Sequence, residues 1–152
     1  MSLGLRPLEQ AEVDALAPEI ERGYAEDIRS NGGLSEEAAR RKAAEDVPRV
    51  LSDPANTLYA LEEDGERVGR LWLGERDQQG RRFLWIWDVF VDERHRGRGL
   101  GREAMVLVEE EARRRGVSRV ELNVFGGNEV ARSLYRSLEY EEISIWMGKD
   151  VS

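Results

Sequence analysis

The stretch Val89-Phe-Val-Asp-Glu-Arg-His-Arg-Gly-Arg-Gly-Leu-Gly-Arg102 decides the reading: a β-rich run, a short loop dense in glycine and arginine, then a helix start. Alternating glycines let the backbone come close to a ligand, and the free amides of a helix amino terminus carry a partial positive charge. Arg94, Arg96, Arg98 and Arg102 add full charges to a protein whose net charge is −8. Together these features describe a phosphate cradle rather than a turn with solvated arginines. Two nucleotide loops fit poorly. A dinucleotide fingerprint needs glycine at the first, third and sixth places, and counted from Gly97 the sixth place holds Arg102. A Walker A loop closes with Gly-Lys-Ser/Thr, and no lysine follows here.

Working outward, the run into this loop closes a group of β-rich segments. Thr57 to Leu61, Arg67 to Leu73 and Arg82 to Val91 are rich in aromatic and branched residues and are separated by Asp-Gly and Gln-Gly turn signals, which predicts an antiparallel meander. Upstream, Leu3 to Pro7 reads as a short opening strand. Val13, Leu16, Ile20, Tyr24 and Ile28 recur at helical spacing, with Pro18 expected to kink or split that helix. Ser35 caps a second helix that opens with Glu36 and Glu37. Downstream of the loop, Leu100, Ala104, Leu107, Val108 and Ala112 mark a helix stopped by Arg113 to Arg115 and Gly116. Val117 to Phe125 reads as a strand, Asn128 caps a short helix, and Ile143 to Met147 reads as a closing strand. The order predicts an α/β (α+β) fold, a mostly antiparallel mixed sheet flanked by helices, in one domain over 1–152.

Composition narrows the function classes. The 152 residues include no cysteine and one histidine, His95. Disulfides, acyl-enzyme thioesters and His-based metal clusters are therefore excluded, no metal site is expected, and His95 reads as a solvated loop residue. No apolar run approaches the roughly 20 residues of a membrane span, and the first residues lack the basic start and apolar core of a signal peptide. A cytoplasmic protein is expected. The acidic balance argues against nucleic acid and anionic membrane as partners. It is also uneven: residues 1–66 hold 16 acidic and 7 basic side chains, net −9, and residues 67–152 hold 15 and 16, net +1.

The spacing Arg96-Gly97-Arg98-Gly99-Leu100-Gly101, with Arg102 following, resembles the Arg/Gln-x-x-Gly-x-Gly loop of the GNAT superfamily of acyl-CoA-dependent N-acyltransferases. A second element, Asn128-Glu-Val-Ala-Arg-Ser-Leu-Tyr135, is similar to that family's Asn-x-x-Ala-x-x-Leu-Tyr segment. The resemblance implies acetyl-CoA as the cofactor. It implies that the loop amides hold the CoA pyrophosphate, that Val89, Phe90 and Val91 pair with the pantetheine like an added strand, and that Asn128 contacts the cofactor arm while Tyr135 sits near the thioester sulfur.

The implied chemistry is direct attack of a neutral amine on the acetyl thioester in a ternary complex. It requires a base for the ammonium proton, a donor for the developing oxyanion and an acid for the thiolate. Tyr135 is the candidate acid, and a backbone N–H near Phe90 or Val91 the candidate donor. The base falls to Asp88, to Glu121, or to water held by them, because related N-terminal acetyltransferases carry a glutamate where this chain has Asn123, and an amide takes no proton. Asn123 is left to orient substrate or water. Glu139 stands where the family has glycine, which implies a strained or different helix end. Trp85 and Trp87 share one sheet face and read as core aromatics. The expected acceptor is a small-molecule primary amine, with a cationic one favoured by the acidic first 66 residues. A protein N-terminal or lysine acceptor, or a non-catalytic CoA-binding module, are the alternatives. The strand expected at the end of the sheet is compatible with a homodimer.

Overall fold

The computed structural model describes residues 2–152. Strand β1 (Leu3–Pro7) is followed by α1 (Gln10–Gly32) and α2 (Glu36–Leu51), then β2 (Asn56–Glu63), β3 (Glu66–Gln78) and β4 (Arg81–Val91). A single 3-10 turn (Glu93–His95) leads to α3 (Leu100–Arg114), β5 (Val120–Leu122) and α4 (Glu129–Ser137). The sheet order is β1-β2-β3-β4-β5, antiparallel throughout except for the parallel β4–β5 pair.

Turn chemistry fixes the meander. Asp64-Gly65 and Gln79-Gly80 form the two-residue hairpin loops, and all four residues have positive φ (52°, 79°, 56° and 86°), the backbone whose twist matches the flanking strands. The caps follow the sequence as well. Ser35 accepts from the Ala38 amide at 3.1 Å and Asn128 from the Ala131 amide at 3.2 Å. Pro18 does not divide the first helix, which runs unbroken through it. Glu139 does take the left-handed conformation expected of glycine (φ 69°), and the Tyr140 amide reaches back to the Tyr135 carbonyl at 2.9 Å to close α4.

Two apolar clusters sandwich the sheet. On one side α3 lays Leu100, Ala104, Met105 and Val108 against Leu61, Leu71, Leu73, Leu84 and Ile86. On the other, Leu16 and Ile20 of α1 and Val47 and Val50 of α2 cover Leu58 and Trp72. Among the described residues no helix is long and apolar enough to cross a membrane.

Three expectations change. The segment expected as a strand from Val117 to Phe125 pairs only over Val120–Leu122. The closing strand at Ile143 to Met147 does not form, and this segment runs unpaired with most of its large side chains in solvent. Trp85 and Trp87 are not core: Trp87 is 38% exposed, and the two form a half-open aromatic row with Trp72 at ring separations of 6.0 Å, with Arg76 over the Trp85 and Trp87 rings.

Candidate active site

The site begins with an irregularity in β4. Trp72 pairs with Asp88 but Leu73 pairs with Ile86, so Trp87 is an extra residue on β4. A bulge of this kind bends the strand and re-aims the side chains beyond it. The β4–β5 pairing stops at the Ile86–Leu122 pair, so from Trp87 to Val91 the β5-side edge of β4 has no strand neighbour among the described residues. Val89, Phe90 and Val91, each half-buried, therefore lie along an open strand edge able to bond an extended ligand.

That edge leads directly into the glycine loop. Gly97 and Gly99 both have φ of 78°, and an added Cβ at either would meet nothing within 4 Å, so the backbone is left bare on its outer side. Gly99 is the residue before the first turn of α3, whose free amides begin at Leu100. The arginines divide. Arg94 is held by Glu66 at 3.1 Å and Arg98 by Glu63 at 2.7 Å. Arg96 instead donates to the Val91 carbonyl at 2.8 Å and lies 5.1 Å from the centre of the Phe90 ring, and Arg102 donates to Ser137 at 2.6 Å. Among the described residues neither Arg96 nor Arg102 has a carboxylate partner, so these two carry the uncompensated positive charge. Bare amides, a helix amino terminus and two free guanidinium groups are a donor set suited to a pyrophosphate. His95 is not solvated as expected: its side chain is mostly covered, 3.7 Å from Glu66.

Asp88 and Tyr135, the sequence candidates for base and acid, lie in β4 and α4. Asp88 accepts from Arg70 at 2.9 Å, and Arg70 also reaches Glu19 of α1 at 3.2 Å and stacks 4.2 Å from the Phe90 ring centre. Burial pushes the Asp88 carboxyl up, against the Arg70 charge that favours its ionised form. Tyr135 of α4 is pushed up too, first by burial and then by the negative charge of Asp88. The Asp88 charge reaches Asp27 of α1 as well, whose carboxyl is raised mainly by burial. Gly101 faces Leu134 of α4, which a Cβ there would meet at 3.6 Å, an ordinary contact.

The remaining sequence candidates are placed differently. Glu121 is pinned between Arg81 and Arg119, and although burial opposes them, these partners hold its carboxyl below its usual range. Asn123 is exposed just beyond the end of β5. Asn128 spends its side-chain oxygen on the α4 cap, leaving its amide nitrogen for a ligand. Sequence reasoning missed Arg70, Glu19 and Asp27. A signal for Arg70 existed, a lone charge inside the apolar run Val68-Gly-Arg-Leu-Trp-Leu. Pairing it with Asp88 required the register.

Comparison with known proteins places the chain in a family. Residues 19–140 match the acetyltransferase (GNAT) family. The chain is 27% identical to the uncharacterized N-acetyltransferase YycN of Bacillus subtilis over 98% of its own length and 99% of that protein's. The crystal structure of YycN superposes with a TM-score of 0.91 over 99% of both chains. A mycothiol acetyltransferase of Propionibacterium freudenreichii is 31% identical over 77% of this chain and 36% of its own length. An acetyltransferase of Clostridium acetobutylicum solved with acetyl-CoA shares the fold, with a TM-score of 0.64 at 12% identity over 97% of this chain and 96% of that one.

Proposed function

Because this chain belongs to the acetyltransferase (GNAT) family, and is thus an acyl-CoA-dependent N-acetyltransferase, we propose that it acetylates the primary amine of a small cationic molecule by direct attack in a ternary complex. Acetyl-CoA, when bound, supplies the activated acetyl thioester. The amides from Gly97 to Gly101, with Arg96 and Arg102, hold the pyrophosphate, and the open edge from Val89 to Val91 orients the arm that follows. We treat residues 1–152 as one domain carrying both halves of this site.

The observation that carries the reading is Asp88, held by Arg70 at 2.9 Å on β4 where that strand's edge is open, with Tyr135 of α4 raised by burial and by the Asp88 charge. Asp88 is the base: burial raises its affinity for a proton while Arg70 favours its ionised form, which suits a carboxylate that must accept a proton from an ammonium group. Tyr135 is the acid: with its pKa raised it stays protonated at neutral pH and can deliver the Oη proton to the departing sulfur. A backbone N–H near Phe90 or Val91 stabilises the developing negative charge. Glu121, committed to two arginines, is a structural ion pair in this scheme, and Asn123 positions acceptor or water. Support for a cationic acceptor comes from the α1 side of the site, where Glu19 and Asp27 add to the Asp88 charge.

A thiol-release assay with acetyl-CoA across a panel of di- and polyamines, neutral amines and peptide amines tests the proposal. Cationic small amines should turn over fastest, with a rate advantage that falls as salt rises. Equal rates for neutral amines would remove the cationic preference, and silence across the panel despite acetyl-CoA binding would favour the non-catalytic module. Tyr135→Phe should lower kcat about 10²-fold or more and leave acetyl-CoA affinity nearly unchanged.

A further inference from the structure

Five of the nine large hydrophobic side chains that remain exposed among the described residues lie in the last ten positions: Ile143 (66%), Ile145 (70%), Trp146 (99%), Met147 (85%) and Val151 (88%). In an extended chain Ile143, Ile145 and Met147 share one face, and Ser144 and Trp146 the other, so the segment has an apolar face and a tryptophan on its opposite side. The chain nonetheless bonds this segment to nothing of its own sheet.

The same molecule has a sheet edge lacking a strand. β5 pairs only with β4, so its outer edge is open among the described residues. Next to that edge α4 carries an apolar stripe of Leu134, Tyr135 and Leu138, none of which is fully buried. Local chemistry steers the segment away from its own β5. The left-handed Glu139 ends α4, and Arg132 and Arg136 draw Glu142 back to α4 at 3.0 and 3.8 Å. No turn signal between Tyr140 and Ile143 reverses the chain afterwards.

We infer that residues 143–151 of one copy add as a strand to the open β5 edge of a second copy, and that the exchange is reciprocal. One chain supplies both the unpaired strand and the unpaired edge, so a two-fold exchange leaves neither exposed, whereas any other partner would satisfy one and leave the other. Ile143, Ile145 and Met147 of each copy would leave water against the Leu134, Tyr135 and Leu138 stripe of the other. Because the segment starts at Tyr140, whose ring lies 5.9 Å from that of Tyr135, the exchange also covers the outer side of α4 next to the proposed acid. The inference stands independently of the acetyltransferase reading.

Oligomeric mass and backbone exchange test it together. The full chain should sediment as a dimer at tens of micromolar, with the amides of Ile143 to Met147 and of β5 protected from hydrogen exchange. Ile145→Asp, at a position exposed in the single copy, should halve the mass and release both sets of amides. Removal of residues 143–152 should do the same to the mass and to β5. A monomer throughout overturns the inference, as does a dimer that survives both changes, a dimer whose 143–147 amides exchange freely, or a monomer in which those amides are protected.

Discussion

The centre of the sheet and its β5–α4 end are built from similar residues and reach different states of completion. At the β3–β4 centre each buried charge has a partner: Arg70 meets Asp88, Glu19 and the Phe90 ring, and Leu71, Leu73 and Leu84 have no exposure at all. At the other end, α4 is strongly amphipathic yet buries no residue, and Val130 is 87% exposed. The contrast shows that a hydrophobic pattern specifies what a segment needs, and the surroundings decide whether the need is met. The proposed base, Asp88, lies in the finished region, and the proposed acid, Tyr135, in the unfinished one.

The largest expected effect breaks the finished region at its functional point. Asp88→Asn keeps the shape and a hydrogen bond to Arg70 but removes the proton acceptor, so kcat should fall about 10²- to 10⁴-fold at unchanged acetyl-CoA affinity. Steady-state kinetics with a saturating amine would check this, and an unchanged kcat would move the base away from Asp88.

Next in size is a test of the packing contrast. Leu71→Ala empties a fully buried position between strands and α3 and should cost about 2–5 kcal/mol. Val130→Ala, on the exposed face of α4, should stay within about 0.5 kcal/mol. Urea unfolding of both variants measures the difference directly, and similar losses would show that α4 is better covered than its exposure indicates.

Arg70→Met sharpens the comparison by separating charge from packing. It leaves Asp88 without its counter-charge and should destabilise the fold by about 2 kcal/mol, less than for a fully enclosed pair because the Asp88 side chain keeps 30% of its exposure. The pH profile gives the more specific readout. Arg70 favours ionised Asp88, so its removal raises the Asp88 pKa further, and the acid limb of kcat/KM should move to higher pH. A limb that stays in place would mean that another group titrates there.

How much could be read in advance follows the range of each interaction. The Asp64-Gly65 and Gln79-Gly80 turns, the Ser35 and Asn128 caps and the left-handed Glu139 involve residues within a few positions of one another, and all were legible in the sequence. The glycine loop was legible because its glycines and arginines are contiguous. The Arg70–Asp88 pair was not, since it depends on a register shifted by one residue at Trp87. The division of the loop arginines was hidden for the same reason: Glu63 and Glu66, which occupy Arg98 and Arg94, come from the β2–β3 hairpin. The strand pattern at Ile143 to Met147 was legible as a pattern, but a pattern does not identify the edge that completes it.

The smallest effect compares the two regions through one interaction made in both. Ser35 and Asn128 each cap a helix by accepting from the amide three residues on, and replacing either by alanine should remove about 1 kcal/mol of local stabilisation. The consequence should differ. Helix α2 buries Ala39, Ala43, Val47 and Val50, so its first turn is tied to the core and the Ser35→Ala loss should appear in the global unfolding midpoint. Helix α4 has no fully buried residue and packs against the core only from Leu134 onward, so after Asn128→Ala its first turn can open without the sheet. At dilutions where the chain is a single copy, that loss should appear as faster hydrogen exchange from Ala131 to Leu134, with little change in the midpoint. A full midpoint shift for Asn128→Ala would show that α4 unfolds with the core, which is the behaviour expected if a second copy already covers it.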